Sequence, residues 1–160
     1  MTDNVILIGM PGAGKSTIGV LLAKQLGLDF VDTDLILQRQ ERLRLQQLIT
    51  LKGLDSFRKA EEQMLLSLNC ESTVIATGGS VIYSEPGMAH LKTLGRRIYL
   101  DISLPHLTQR IADMGDRGIL MAVGQSFANL YDERTPLYRR YADAEIQIDD
   151  LGVEEVLQKI

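Results

Sequence analysis

The sequence predicts a single three-layer α/β domain, in which helices cover both faces of a parallel sheet. Short apolar runs alternate along the chain with segments whose apolar residues recur at helical spacing. Such alternation requires parallel strands joined by crossover helices. The length of 160 residues suits one domain, and no repeat, low-complexity run or linker divides the chain. We therefore expect residues 1–160 to form one domain.

In the first half of the chain, glycines bound several of the predicted elements. Residues 5–8 form a continuous apolar run ended by glycine, which is typical of a buried parallel strand. The segment 15–26 has apolar residues at helical spacing, among them Leu22 and Leu26, and Gly27 ends it. The remaining elements of this half are predicted as a strand at 28–31, a helix at 35–51 with a break and an end at Gly53, a helix at 54–69 and a strand at 73–77.

In the second half, the same alternation continues. A helix is predicted at 126–141, although Pro136 must begin, kink or interrupt it, because proline has no N–H to donate. The segment 115–124 contains three glycines and is predicted as a mobile loop. The other elements are predicted as a helix at 86–94, a strand at 97–101, a helix at 104–114, a strand at 144–148 and a helix at 153–160.

The charge balance disfavours a general affinity for nucleic acid. The formal net charge is -4, so no excess of positive charge is present to replace phosphate counterions, although a few arginines could still bind a small anion. The single cysteine, Cys70, is expected to be a small buried residue, which fits a reducing compartment. The first apolar run is far too short to cross a membrane. We expect a cytoplasmic monomer with no nucleic-acid or membrane partner.

Residues 9–16 match the phosphate-binding pattern G-x-x-x-x-G-K-[ST] at each fixed position. Glycines let backbone N–H groups point into the turn, and the helix that begins near Lys15 directs its positive dipole end to the same place. The Lys15 ammonium can reach the β- and γ-phosphates, and the Ser16 hydroxyl can bind Mg²⁺. A buried strand before the pattern and an amphipathic helix after it disfavour a chance glycine-rich turn. The residues expected to bind ATP here are Gly12, Ala13, Gly14, Lys15, Ser16 and Thr17.

Two carboxylates, Asp32 and Asp34, follow the second predicted strand. In open α/β sheets the carboxyl ends of the strands face the ligand crevice. There the two side chains could hold Mg²⁺ through water and take a proton from an attacking hydroxyl. The alternative is that Asp34 or Thr33 merely caps the following helix.

Three arginines could serve an anionic ligand. Arg58 and Glu61 share a face of a predicted helix, and a guanidinium can bind a carboxylate in a bidentate way. The alternative for Arg58 is a surface ion pair, and the alternative for Arg134 is a solvated helix charge. Arg117 lies in the glycine-rich loop, where a closing segment would bring positive charge to a transferring phosphoryl group and exclude water.

The motifs that follow the phosphate loop are Asp32-Thr33-Asp34, Phe57-Arg58 with Glu61, Gly78-Gly79, Arg117, and Arg134-Thr135-Pro136-Leu137-Tyr138. In this order and at these separations, the set resembles the shikimate kinase family over nearly the whole chain. The resemblance implies a P-loop kinase fold with a five-stranded parallel sheet of order 2-3-1-4-5 and a lid at about residues 113–125. It also implies ATP and Mg²⁺ as cofactors and phosphorylation of the shikimate 3-hydroxyl, giving shikimate 3-phosphate and ADP, in aromatic amino-acid biosynthesis.

At the nucleotide, the resemblance implies roles for four side chains. Lys15 would act on the phosphates in catalysis, and Arg117 would swing in with the lid to meet them. Ser16 would ligate Mg²⁺ directly, and Asp32 would lie near the ion through water.

At the acceptor, the resemblance implies a set of residues that bind one small acid. Asp34 would bind its hydroxyls and act as the general base. Arg58 and Arg134 would bind its carboxylate, and Glu61 would pair with Arg58 and fix its direction. The backbone N–H of Gly79 would add one more donor.

Three positions and one short segment depart from the family's pattern. The third glycine of a triplet is Ser80, which would cost about 1 kcal/mol if it had to adopt a positive φ. The proline after the lid arginine is Gly118, which should make the lid more flexible. An acidic residue is replaced by Leu54, and the segment 149–152 lacks a basic residue for the adenine. These changes leave open a kinase for another small hydroxy-acid or nucleotide, and a nucleotide-binding protein with little activity.

Overall fold

The computed structural model describes residues 4–114 and 124–160, in which strands and helices alternate as predicted. The elements in chain order are β1 (Asn4–Ile8), α1 (Lys15–Leu26), β2 (Asp29–Asp32), α2 (Thr33–Glu41), α3 (Leu45–Ser67), β3 (Thr73–Ala76), a 3₁₀ turn (Val81–Tyr83), α4 (Glu85–Leu94), β4 (Gly95–Asp101), α5 (Leu104–Met114), α6 (Phe127–Tyr141), β5 (Ala144–Gln147) and α7 (Val153–Lys159).

The five strands form one parallel sheet with the order β2-β3-β1-β4-β5. This confirms the three-layer α/β fold and the strand order 2-3-1-4-5. β1 lies in the centre, and its residues Ile6, Leu7 and Ile8 are fully buried. Because the strands are parallel, their carboxyl ends meet at one edge of the sheet, where a ligand crevice is expected.

The largest difference from the predicted elements concerns the helices after β2. α2 begins at Thr33, two residues earlier than predicted, and it ends where Arg42 adopts a left-handed conformation with φ 55°. Gly53 was expected to end a helix, but it lies inside α3 as a kink with φ 82° and ψ 169°. Glycine permits that conformation because it has no Cβ.

Two other expectations concern the second half of the chain. Pro136 lies inside α6 without ending the helix. The predicted loop at 115–124 lies almost entirely outside the described residues, as does Arg117 within it. Along the described ranges, no helix is long and apolar enough to cross a membrane.

Candidate active site

One cavity of about 380 Å³ lies at the carboxyl edge of the sheet. Its lining joins the phosphate loop to residues from α2, α5, α6 and the loop that follows β3. Among the lining residues are Lys15, Asp34, Gly79, Ser80, Arg110 and Arg134. The structure therefore brings predicted nucleotide and acceptor residues to one space.

The phosphate loop connects β1 to α1 in the conformation that its glycines permit. Gly9, Gly12 and Gly14 all have positive φ values, and α1 begins at Lys15. The Lys15 ammonium donates to the carbonyl oxygens of Gly9 at 2.7 Å and Met10 at 2.8 Å. Burial lowers the pKa of Lys15 to about 8, although the carboxylate of Asp34 opposes this shift. The loop thus presents a desolvated cation beside a helix N-terminus, which suits a phosphate.

Ser16 and Asp32 lie together at the end of β2. The Ser16 hydroxyl donates to Asp32 Oδ2 at 2.7 Å. The pair offers two hard oxygen donors beside the phosphate loop, a set that fits Mg²⁺ with the rest of its ligands supplied by water and phosphate. In the described part of the chain, no group of three or more His, Cys, Asp or Glu side chains could hold a metal ion.

The cap of α2 is Asp32, and not Asp34 or Thr33 as the capping alternative had it. Asp32 Oδ1 accepts hydrogen bonds from the backbone N–H groups of Asp34 at 2.9 Å and Leu35 at 3.4 Å. The Thr33 hydroxyl instead accepts from the N–H of Gly78 at 3.0 Å, which links α2 to the loop after β3. Asp34 is left to line the cavity.

The Asp34 carboxylate is packed closely against the loop after β3. A Cβ added to Gly78 would lie 2.6 Å from Asp34 Oδ1, so a side chain at position 78 would force the carboxylate to move. Burial and the neighbouring Asp32 raise the pKa of Asp34 to about 6, and the Lys15 ammonium opposes the rise. A carboxylate with this environment is a candidate general base.

Ser80 adopts an ordinary backbone conformation, with φ -95° and ψ -1°, so the strain considered for the missing glycine does not arise. Its hydroxyl donates to both carboxylate oxygens of Glu61, at 2.7 and 3.0 Å. Glu61 is only 3% exposed. Burial raises its pKa to about 7, while the Ser80 hydrogen bond opposes that shift.

Arg58 does not pair with Glu61, which corrects both the expected pairing and the surface ion-pair alternative. Among the described residues, no carboxylate lies within ion-pair distance of Arg58. Its guanidinium instead lies over the ring of Tyr83, 4.7 Å from the centroid. Arg58 is exposed and does not line the cavity, although its neighbour Phe57 does, whereas Glu61 faces Ser80.

Arg134 is not a solvated helix charge, because it is only 1% exposed. Its guanidinium lies 5.3 Å from the centroid of the same Tyr83 ring, and its Nε donates to the Tyr83 hydroxyl at 3.3 Å. A Cβ added to Gly79 would lie 3.0 Å from Arg134 Nη1. The buried cation is therefore beside the predicted backbone donor.

Two contributors to this site were missed by sequence reasoning. Arg110 on α5 lines the cavity and donates from Nη1 to the carbonyl of Ala13 at 3.1 Å. Tyr83 contacts both predicted acceptor arginines. Neither lies in a recognisable motif, and their positions in a helix and a short turn carry no distinguishing local signal.

Comparison with known proteins identifies what the chain is similar to. The family model described as "Shikimate kinase" matches residues 11–160. A shikimate kinase of Pseudomonas paraeruginosa is 37% identical over 164 residues, which cover 98% of this chain and 95% of the relative.

The chain is also similar in fold to solved structures of shikimate kinases. A shikimate kinase from Acinetobacter baumannii in complex with shikimate has a TM-score of 0.88 at 30% identity, covering 99% of this chain and 90% of that one. A shikimate kinase from Aquifex aeolicus has a TM-score of 0.82 at 32% identity, covering 98% and 92% of the two chains.

Proposed function

The chain belongs to the shikimate kinase family, and we propose how its own residues divide the work of phosphorylating shikimate. Members of this family use ATP and Mg²⁺ to phosphorylate the 3-hydroxyl of shikimate, giving shikimate 3-phosphate and ADP in aromatic amino-acid biosynthesis. The observation that carries the assignment of roles is the convergence of Lys15, Asp34 and Arg134 on one cavity.

At the nucleotide end, the residues from Gly12 to Thr17 bind the ATP phosphates. The environment of Lys15 supports this role, because its ammonium is buried and donates hydrogen bonds to two carbonyl oxygens of the loop. Ser16 would ligate Mg²⁺ and Asp32 would hold it through water, and the ion when bound would neutralise charge on the phosphates. The hydrogen bond between these two side chains supports a shared site.

At the acceptor end, Asp34 orients the substrate hydroxyl and accepts its proton as the oxygen–phosphorus bond forms and the bond to ADP breaks. Its raised pKa and its place in the cavity support this role. Arg134 and Arg58 bind the carboxylate of shikimate, and the N–H of Gly79 donates a further hydrogen bond. The close approach of Arg134 to Gly79 supports a joint role of these two residues in binding shikimate.

Three further proposals concern a lid, the domain organisation and the state of the protein in the cell. We propose that residues 113–125 act as a lid and that Arg117 within them meets the phosphates and assists transfer. We propose that residues 1–160 act as one domain and as a cytoplasmic monomer. A single cysteine and a net charge of -4 support the compartment and the absence of a nucleic-acid partner.

The assignment is tested by measuring ADP release with ATP, Mg²⁺ and shikimate for the wild type and for Lys15→Ala. We expect saturable turnover in the wild type, and a loss of kcat/KM of about 10²-fold or more in Lys15→Ala, because a cation at the transferring group is removed. Lys24→Ala, at the exposed end of the same helix, is the matched control and should retain wild-type kinetics.

Full activity in Lys15→Ala would contradict the role of the phosphate loop. Turnover with another hydroxy-acid but none with shikimate would favour the first alternative. Nucleotide binding without turnover of any acid would favour the second, and a shift in Tm with ADP would detect such binding.

A further inference from the structure

Tyr83 contacts both arginines that the proposed function assigns to the substrate carboxylate. The ring centroid lies 4.7 Å from Arg58 Cζ and 5.3 Å from Arg134 Cζ. Both distances are within the range at which an aromatic face attracts a cation. The two arginines come from different helices, α3 and α6, and the Tyr83 side chain touches both.

The backbone beneath this ring is held by the core. Tyr83 ends the 3₁₀ turn, whose first two residues, Val81 and Ile82, are almost fully buried. The N–H of Tyr83 donates to the carbonyl of Ser80 at 3.1 Å, and the N–H of Ser84 donates to Val81 at 3.0 Å. The ring is half-buried and thus forms a fixed surface against which flexible arginine side chains can be ordered.

The hydroxyl of Tyr83 also contacts Arg134. It accepts from Arg134 Nε at 3.3 Å and donates to Glu133 Oε1 at 2.5 Å. Arg134 therefore presents its Nε side to Tyr83 while its Nη1 lies beside Gly79. The phenol holds the orientation of the guanidinium as well as its position.

Two guanidinium groups that share one region repel each other, and this repulsion opposes their joint use on one carboxylate. The electron-rich faces of the ring and the carboxylate of Glu133 offset part of the repulsion. Ordering both side chains before the substrate arrives also lowers the entropy lost on binding. The contact of both arginines with the Tyr83 ring therefore favours substrate binding. Packing alone would not require two cations on one ring.

We infer that Tyr83 is a positioning residue that holds Arg58 and Arg134 in register for the carboxylate of the acceptor. The inference rests on the proposed function, because it takes those arginines as the carboxylate ligands. Tyr83 acts through them and does not touch the reacting atoms.

The experiment compares steady-state kinetics of Tyr83→Leu, Tyr83→Phe and the wild type, with shikimate and ATP varied separately. In Tyr83→Leu we expect the KM for shikimate to rise about tenfold, with kcat and the KM for ATP within about twofold of the wild type. Tyr83→Phe keeps the ring and should recover most of the loss, with a KM for shikimate within about threefold. If Tyr83→Leu does not fold, Tyr83→Gln replaces it with the same expectation.

Tyr141→Leu is the matched control, because Arg140 lies 5.7 Å from the Tyr141 ring in a contact of the same kind outside the cavity. It should leave the KM for shikimate unchanged. A double-mutant cycle with Arg58→Ala then tests the route of action. The Tyr83→Leu loss should be smaller when Arg58 is already absent, because only the contacts of Tyr83 with Arg134 then remain to be lost.

The Arg58 and Tyr83 variants test the carboxylate role of Arg58 and the positioning role of Tyr83 separately. If Arg58→Ala leaves the KM for shikimate unchanged, the proposed carboxylate role of Arg58 is wrong. If Arg58→Ala raises that KM but Tyr83→Leu does not, or if the two losses are fully additive, the positioning role of Tyr83 is overturned. Equal rises in the KM for ATP and for shikimate would likewise overturn it, because they would indicate a general structural defect.

Discussion

The surroundings of Asp34 shift its pKa in opposite directions. Burial and Asp32 favour the neutral acid, whereas the Lys15 ammonium favours the carboxylate, and together they leave the pKa at about 6. A carboxylate with this pKa remains mostly ionised at neutral pH and is a stronger base than an ordinary aspartate. The reaction should therefore depend on pH through this side chain in the acid range.

We predict that Asp34→Asn lowers kcat by about 10²-fold or more, because an amide cannot accept the hydroxyl proton. In the wild type, kcat/KM for shikimate should fall below pH about 6, where Asp34 becomes protonated. The measurement is the pH profile of both proteins under saturating ATP. An unchanged kcat in Asp34→Asn would limit Asp34 to binding or positioning.

Ser80 shows how one residue can depart from a family pattern without cost. Sequence reasoning allowed for strain at this position, but the residue has a negative φ that any L-amino acid adopts. The added hydroxyl has a partner, since it donates to the buried carboxylate of Glu61. The departure thus replaces a glycine by a hydrogen-bond donor where an otherwise poorly solvated acid lies.

At the scale of elements, α6 is attached to the loop after β3 by Tyr138. This side chain is fully buried, and its ring stacks on Tyr99 with centroids 5.2 Å apart. Its hydroxyl donates to the carbonyl of Gly79 at 2.5 Å. The stacking packs Tyr138 into the core. The hydrogen bond shows that the same residue also orients the peptide of the predicted substrate donor.

We predict that Tyr138→Phe destabilises the protein by about 1–2 kcal/mol, because it leaves the Gly79 carbonyl without its donor. It should also raise the KM for shikimate several-fold without changing the KM for ATP. The measurements are urea unfolding and steady-state kinetics.

Tyr131→Phe provides the matched control on the same helix. The Tyr131 hydroxyl donates to the carbonyl of Ile102 at 3.0 Å, so the lost bond is of the same type. Stability should fall in both variants, but only Tyr138→Phe should change the KM for shikimate. A similar change in KM in both would show that α6 affects the site through stability alone.

At the scale of the whole molecule, the acceptor site imposes a cost on folding that depends on pH. The pKa of Glu61 rises from its ordinary value of 4.5 to about 7 in the folded state, mainly because of burial. A raised carboxyl pKa means that the folded state binds protons more tightly than the unfolded state. The free energy of unfolding should therefore fall as the pH rises from about 4.5 to about 7, by up to about 3 kcal/mol from this group.

We predict that Glu61→Gln removes this dependence, because the amide keeps an acceptor for Ser80 but cannot ionise. The Tm of the variant relative to the wild type should increase as the pH rises from about 4.5 to about 8, which thermal unfolding at several pH values would measure. A difference in Tm that is constant with pH would contradict the cost assigned to ionised Glu61. In the same experiment, the proposed single domain should unfold in one cooperative transition.

Much of the fold could be predicted from the sequence because its signals are local. The helix bounds of α1 and α5 agree with those predicted, and the strands differ by one or two residues at their ends. Apolar periodicity and glycine positions report backbone preferences over a few residues, and these preferences are retained in the fold. Gly53 shows the limit, because a glycine that can end a helix can also form a kink when neighbouring elements continue the packing.

The phosphate loop was determined by the sequence alone, because the groups proposed to bind phosphate are contiguous from Gly9 to Thr17 and lie in a single strand–turn–helix connection. The acceptor site was decided by the tertiary structure. Glu61 and Ser80 are 19 positions apart, and Tyr138 and Gly79 are 59 apart, so no local pattern states that they touch. The resemblance supplied the types of residue at this site, but the partners of each side chain depend on how α3, α6 and the loop after β3 pack together. Because of that packing, Glu61 accepts a hydrogen bond from Ser80, and Arg58 and Arg134 both contact the ring of Tyr83.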